Sequence, residues 1–196
     1  QWDKRRVTTD GLVLNLPARR PLPRETPMSN LPDFNRRDTS RSDLAGKDLR
    51  TGFSLDLWLE LDSLEPGQVL LDNRDVAGRG VEVTTTARST LGIVLNDGRS
   101  ISSWDSDAGV IHARRTHHVA IVVDGGPKTI TFVVDGVLCD GGEQRQFGWG
   151  RFNPHLRTPR GAPGLRKGEG VKSVRLYNRA LLTSEAVANF RAGMLP

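Results

Sequence analysis

The chain of 196 residues holds one cysteine, Cys139, so no disulfide can close within it. A lone cysteine in this setting reads as a small buried apolar residue rather than a nucleophile. No apolar run approaches the roughly 20 residues that cross a bilayer, and no leader segment opens the chain. A start at Gln1 reads as a mature chain or a piece excised from a longer one. Strand–helix–strand alternation is missing, which argues against the parallel α/β folds. There is no nucleophile elbow, phosphate loop or dinucleotide fingerprint. Serine, histidine and aspartate occur, but no spacing singles out a triad. No internal repeat is visible. Helix-turn-helix, RNA-stacking and zinc spacings are also absent, although the net charge is +5. The excess is mostly arginine, with an early group that includes Arg19, Arg20, Arg36 and Arg37 and a late one that includes Arg151, Arg157, Arg160 and Arg166. These read as a solvated basic surface. An acidic glycan is the alternative partner, and the missing motifs disfavour nucleic acid.

Turn formers are plentiful, with 21 glycines and 11 prolines, as a chain of short strands requires. Phe53–Leu61 alternates cleanly: Phe53, Leu55, Leu57, Leu59 and Leu61 face a core, and Ser54, Asp56, Trp58 and Glu60 face the other way. Further strands are expected at 11–16, 68–72, 79–86, 91–95, 99–103, 117–124, 129–135 and 137–139. Pro66–Gly67, Asn96–Asp97–Gly98, Gly125–Gly126–Pro127 and Asp135–Gly136 mark turns. Residues 17–50 form a long irregular loop, pinned at points such as Leu31, Phe34 and Leu44, and residues 140–170 are Gly-rich and irregular. A last strand from Val171 leads into a short helix, with Thr183 or Ser184 as N-cap, Glu185 in the first turn and Gly193 at the stop. About ten short strands and one helix predict an all-β, two-sheet antiparallel sandwich filling a single domain over 1–196.

Several blocks carry a resemblance: 52–58, Leu70–Arg74, Gly78–Gly80, His117–Ala120, Val133–Val137 and Leu176–Leu181. In order and spacing they resemble the bacterial laminin-G-like, concanavalin A-like jelly roll, over roughly residues 11–193. Thr116 departs from that pattern, since the family often has tryptophan before the paired histidines. The resemblance implies a jelly roll with one C-terminal helix. It also implies a carbohydrate-binding or accessory module, appended to a secreted, periplasmic or cell-surface glycoside hydrolase, sialidase or sulfatase, sometimes with a structural calcium. The implied partners are a glycan, neutral or acidic, and the parent catalytic domain.

Sugar recognition needs aromatic faces for C–H surfaces and planar polar groups for hydroxyls. Trp104, in the polar segment Ser102–Asp107, and Trp149, flanked by glycines in Gln146–Phe152, are the candidate stacking residues. Asp72, Arg74 and Asp107 are the candidate polar contacts. Asp105 and Asp107 are the candidate calcium ligands, although no contiguous EF-hand loop is present. His117 and His118, adjacent on a strand, point to opposite faces and so cannot readily share a metal. Glu60–Glu65 resembles the Glu-x-Asp-x-x-Glu pattern of laminarinase-type glucanases on the same fold, where the two glutamates share the chemistry. Glu65, however, directly precedes a Pro–Gly turn. A hydrolase using Glu60 and Glu65 is therefore the competing reading, and a purely structural or adhesive interdomain module is a third.

Overall fold

The computed structural model describes residues 6–18, 25–27 and 50–194. In chain order its strands are β1 (Leu12–Leu16), β2 (Glu25–Pro27), β3 (Phe53–Glu60), β4 (Val69–Asp72), β5 (Gly80–Thr85), β6 (Leu91–Asn96) and β7 (Ile101–Asp105). They continue with β8 (Thr116–Asp124), β9 (Thr129–Val134), β10 (Val137–Leu138), β11 (Trp149–Arg151), β12 (Gly164–Lys167) and β13 (Val171–Tyr177), and helix α1 (Thr183–Ala192) follows. Two antiparallel sheets result. One has seven strands in the order β1-β13-β3-β8-β9-β10, with β11 also paired to β9; the other has six, in the order β2-β12-β4-β5-β6-β7. This is the expected jelly-roll sandwich. Three strands were not anticipated: β2 lies in the expected 17–50 loop, and β11 and β12 lie in the expected irregular 140–170 stretch. All three are short and take their pairing from distant strands, which no local pattern reveals. Leu31, Phe34 and Leu44 lie outside the described residues.

The core lies between the sheets. Leu55, Leu57 and Leu59 of β3 and Val119, Ile121 and Val123 of β8 meet Val83 of β5 and Ile93 and Leu95 of β6, all buried. Each such side chain contributes about 1.5–3 kcal/mol through burial, so the leucine face of β3 holds the sheets together.

The opposite face of β3 is buried too. Asp56 and Trp58 lie beneath α1, and Ser54 lies beneath the segment that leads into it, its hydroxyl donating to Arg179 carbonyl at 3.0 Å and accepting Leu181 N–H at 2.9 Å. Asp56 receives Arg175 Nη1–H at 3.0 Å, His118 Nε2–H at 3.0 Å and Asn189 Nδ2–H at 2.8 Å. Asn189 also reaches Tyr177, whose hydroxyl donates to Thr8 carbonyl at 2.9 Å. Phe190 stacks on Trp58 with centroids 6.0 Å apart. The helix is thus attached to the outer face of the seven-stranded sheet through a charged cluster in which the acid is fully hydrogen-bonded. Burial opposes ionisation of Asp56, but the His118, Arg175 and Asn189 contacts outweigh it and hold the carboxyl below its ordinary pKa.

The paired histidines diverge as expected. His118 faces α1, whereas His117 sits at the sandwich end, its Nε2 accepting His112 N–H at 3.0 Å and its Nδ1–H donating to Asp135 at 2.7 Å. The expected helix cap is corrected. Leu182, not Thr183 or Ser184, is the N-cap. Glu185 supplies the missing acceptor, taking Leu182 N–H at 2.8 Å while pairing with Arg179 at 2.7 Å. Gly193, at φ 77°, ends the helix.

Candidate functional site

The sheets separate the candidate residues: Asp72 and Arg74 lie on the six-stranded sheet, Trp149 on the seven-stranded one, and Trp104 packs against the core between them. On the six-stranded sheet Asp72 pairs in register with Glu82 and Arg166. Its Oδ1 accepts Arg74 N–H at 2.8 Å and Nε–H at 3.1 Å, and its Oδ2 accepts Arg166 at 2.7 Å. Arg74 also pairs with Glu82. Burial works against the Asp72 charge, yet the hydrogen bonds from Arg74 and Arg166 keep its carboxyl below the usual range. Asp72 and Arg74 therefore form an internally neutralised network, with two carboxylates matched to two guanidiniums.

Trp104 and Asp107 belong to a second assembly, where β7 meets the loop that precedes β11. The Trp104 indole N–H donates to Gly148 carbonyl at 3.2 Å, and Arg145 lies over its ring at 4.4 Å from the centroid. Gly150 presses against the same indole so closely that a Cβ there would stand 2.3 Å from Cδ2 and Cε3. Trp104 is therefore committed to protein contacts and is not the open stacking surface expected of it. Asp107 is buried. Its Oδ1 takes Arg145 at 2.8 Å, and its Oδ2 takes the N–H groups of Asp140 and Gly141 at 2.9 and 3.0 Å. It anchors a loop and presents no free oxygen to a ligand.

Calcium fits this place poorly. Asp105 receives Arg145 Nη1–H at 3.0 Å and the Thr90 hydroxyl, so Asp105 and Asp107 converge on a guanidinium where a cation would have to sit. Among the described residues no group of three or more His, Cys, Asp or Glu side chains converges. Cys139, adjoining this loop, is buried, and burial pushes its thiol pKa up to about 11.

Trp149 is different. In β11 it pairs with Thr131, Gly150 with Ile130 and Arg151 with Thr129. Ile130 is in the core, so Gly150 faces inward and Trp149 and Arg151 face outward. Trp149 stacks with Phe147 at a centroid distance of 5.0 Å and an interplanar angle of 27°. The two rings are 36% and 48% exposed, and they form an apolar ledge on the outer face of the seven-stranded sheet. The Arg151 guanidinium lies over the Trp149 ring, its carbon 5.6 Å from the centroid. Sequence reasoning found Trp149 but passed over Phe147, Arg145 and Arg151 as site residues. The alternation of Phe147, Trp149 and Arg151 with two glycines was the available signal, since it is a strand pattern with one bare face.

The hydrolytic pair is not assembled as a strand motif. Glu60 ends β3 and accepts the Thr116 hydroxyl at 2.6 Å. Glu65 lies beyond β3 in the turn, where its carbonyl accepts Thr85 Oγ1–H at 2.6 Å. A cleft of about 360 Å³ lies beside Glu60 and is lined by Asp62, Gln68, Glu169 and Lys172 as well; Glu65 is not part of it.

A family model described as the concanavalin A-like lectin/glucanases superfamily, of laminin-G type, matches residues 37–187. The chain belongs to this family. No curated protein sequence matches it significantly. Among solved structures it is similar to the Ruminococcus gnavus IT-sialidase CBM40 bound to α2,3-sialyllactose, at 14% identity and TM-score 0.51, covering 91% of this chain and 98% of that one. It is also similar to the binding domain of botulinum neurotoxin DC in complex with rat synaptotagmin II, at 13% identity and TM-score 0.54, covering 71% of this chain and 35% of that one. A botulinum neurotoxin type C structure, whose cell entry depends on two ganglioside molecules, matches at 12% identity and TM-score 0.54 with the same coverage. The chain spans about a third of the length of these toxin chains. At such identities the likeness is one of fold. Among the described residues no helix is long and apolar enough to cross a membrane.

Proposed function

We propose that this laminin-G-type chain is a non-catalytic carbohydrate-binding module whose contact surface is the Phe147–Trp149 ledge. The observation that carries the reading is the exposure of two stacked aromatic rings on an outer sheet face. Exposed aromatic area of this kind is costly in water and marks a binding surface, and sugar rings present C–H faces that suit it. Fold neighbours that bind sialyllactose or enter cells through gangliosides support a sugar as the ligand. A role as an accessory domain of a secreted, periplasmic or cell-surface glycoside hydrolase extends this reading to the parent protein. The glucanase reading is weaker, because Glu65 stands in the turn after β3 and does not line the Glu60 cleft.

The test is a broad glycan array probed with the full chain, the Trp149→Ala variant and the Phe147→Ala variant. Specific sugar binding that both variants weaken is the expected result. Binding unchanged in both would remove the ledge as the contact surface, and no binding to any glycan would favour a purely structural interdomain role.

A further inference from the structure

We propose that the ledge is built for a sugar whose ring carries a carboxylate, and that Arg151 recognises that carboxylate; the inference rests on the glycan-binding reading above. The arginines around the two surfaces already described are consumed internally. Arg145 is held by Asp105 and Asp107, Arg88 by Asp105, Arg74 by Asp72 and Glu82, and Arg166 by Asp72. Arg151 is exposed, and among the described residues no carboxylate lies within ion-pair distance of it. Asp124, two strands away in the same cross-strand row, accepts Gly126 N–H at 3.0 Å and makes no ion pair with Arg151. Arg151 thus keeps its forked donors available beside the aromatic pair.

Position supports the assignment. Trp149 and Arg151 are two residues apart on one strand and share its outward face, with the guanidinium 5.6 Å from the indole centroid. A pyranose packed against the exposed part of the aromatic pair would present a directly attached carboxylate at its rim, toward the guanidinium that lies over Trp149. The carboxylate is planar and matches a guanidinium through two parallel N–H···O bonds. A neutral sugar offers the same guanidinium only single neutral hydroxyl acceptors, without the charge-assisted fork. Charge complementarity therefore selects a uronic-type sugar over a neutral one at this surface.

The experiment is calorimetric titration of the full chain at low salt with hexamers of galacturonate, glucuronate and mannuronate. Each is paired with its methyl ester, which keeps the ring and removes the charge. At least one acid should bind about tenfold tighter than its ester, the size of one good charged fork. Arg151→Gln should abolish that preference while leaving ester binding in place, and Arg151→Lys should restore part of it. Trp149→Ala should weaken acid and ester alike. A merely structural role for Arg151, propping the Trp149 ring, would lower both affinities and leave their ratio unchanged, which overturns the proposal. Equal wild-type affinity for acid and ester also overturns it while sparing the glycan-binding reading. Binding of sulfated sugars with no binding of carboxylated ones overturns it in favour of a sulfate site. Silence toward these hexamers, toward sialyllactose, toward sulfated sugars and toward every neutral sugar sinks both readings together.

Discussion

The guanidinium of Arg145 lies 4.4 Å from the centroid of the Trp104 indole while its Nη2 holds Asp107 at 2.8 Å. One side chain thereby joins β7 to the loop that delivers the Phe147–Trp149 ledge. Arg145→Met should cost about 2–3 kcal/mol, because two largely buried carboxylates lose their countercharge. It should also weaken glycan binding without touching a sugar. Denaturant unfolding alongside titration checks this, and a stable variant with wild-type affinity would contradict it.

The two tryptophans should separate function from stability. Trp149→Ala should leave the unfolding temperature within about 2 °C of wild type and cut sugar affinity about tenfold, in keeping with the small surface contribution of an exposed ring and the worth of a stacked one. Trp104→Ala should do the reverse first, lowering stability by about 3 kcal/mol through the cavity it leaves. Thermal scans with and without ligand distinguish the two.

Gly150→Ala should be damaging although glycine and alanine differ by one methyl. The added Cβ would stand 2.3 Å from the Trp104 ring, and overpacking of this kind costs about 1–3 kcal/mol. Wild-type stability in this variant would mean that the ring has room to move.

The helix attachment predicts an acid limit. The Asp56 carboxyl is held below its ordinary value of 3.8, so its contribution is complete above that pH and is lost as the pH falls through the lower folded value. Asp56→Ala should cost about 3–5 kcal/mol at neutral pH, since it strands Arg175 and His118 in the interior. It should also flatten the fall in stability below about pH 4. Urea unfolding at pH 7, 5 and 3 for both proteins tests the sign.

Calcium removal should leave this protein unchanged. With Asp105 and Asp107 occupied by Arg145, EDTA should shift the unfolding temperature by less than about 1 °C, whereas a bound ion at 100 times its Kd would add about 2.7 kcal/mol. A shift of several degrees would reveal a site elsewhere.

Much of the fold was legible before any coordinates. Period-two alternation in Phe53–Leu61 and the paired runs around Gly125–Gly126–Pro127 identify strands because each must present one face to a core. Turn residues place their ends. His117–Ala120, the Val133–Val137 turn and Tyr177–Leu181 leading into a helix together carried the family resemblance. The outer face of β3 was harder to read. Ser54 and Asp56 look like solvent-facing positions until Leu181 and Asn189, more than 120 residues away in sequence, cover them. The same held for Asp72 and Arg74, whose partners Glu82 and Arg166 arrive from other strands.

By itself the sequence determined the places of most strands, the turns, the absence of disulfides and membrane-spanning helices among the described residues, and Trp149 as a candidate contact, because these follow from local periodicity and residue chemistry. Tertiary structure alone decided that Trp104 and Asp107 serve the loop while Phe147, Trp149 and Arg151 face outward. Exposure and charge pairing depend on which distant strand lies alongside, and residues with the same local chemistry become structural or available according to that neighbour.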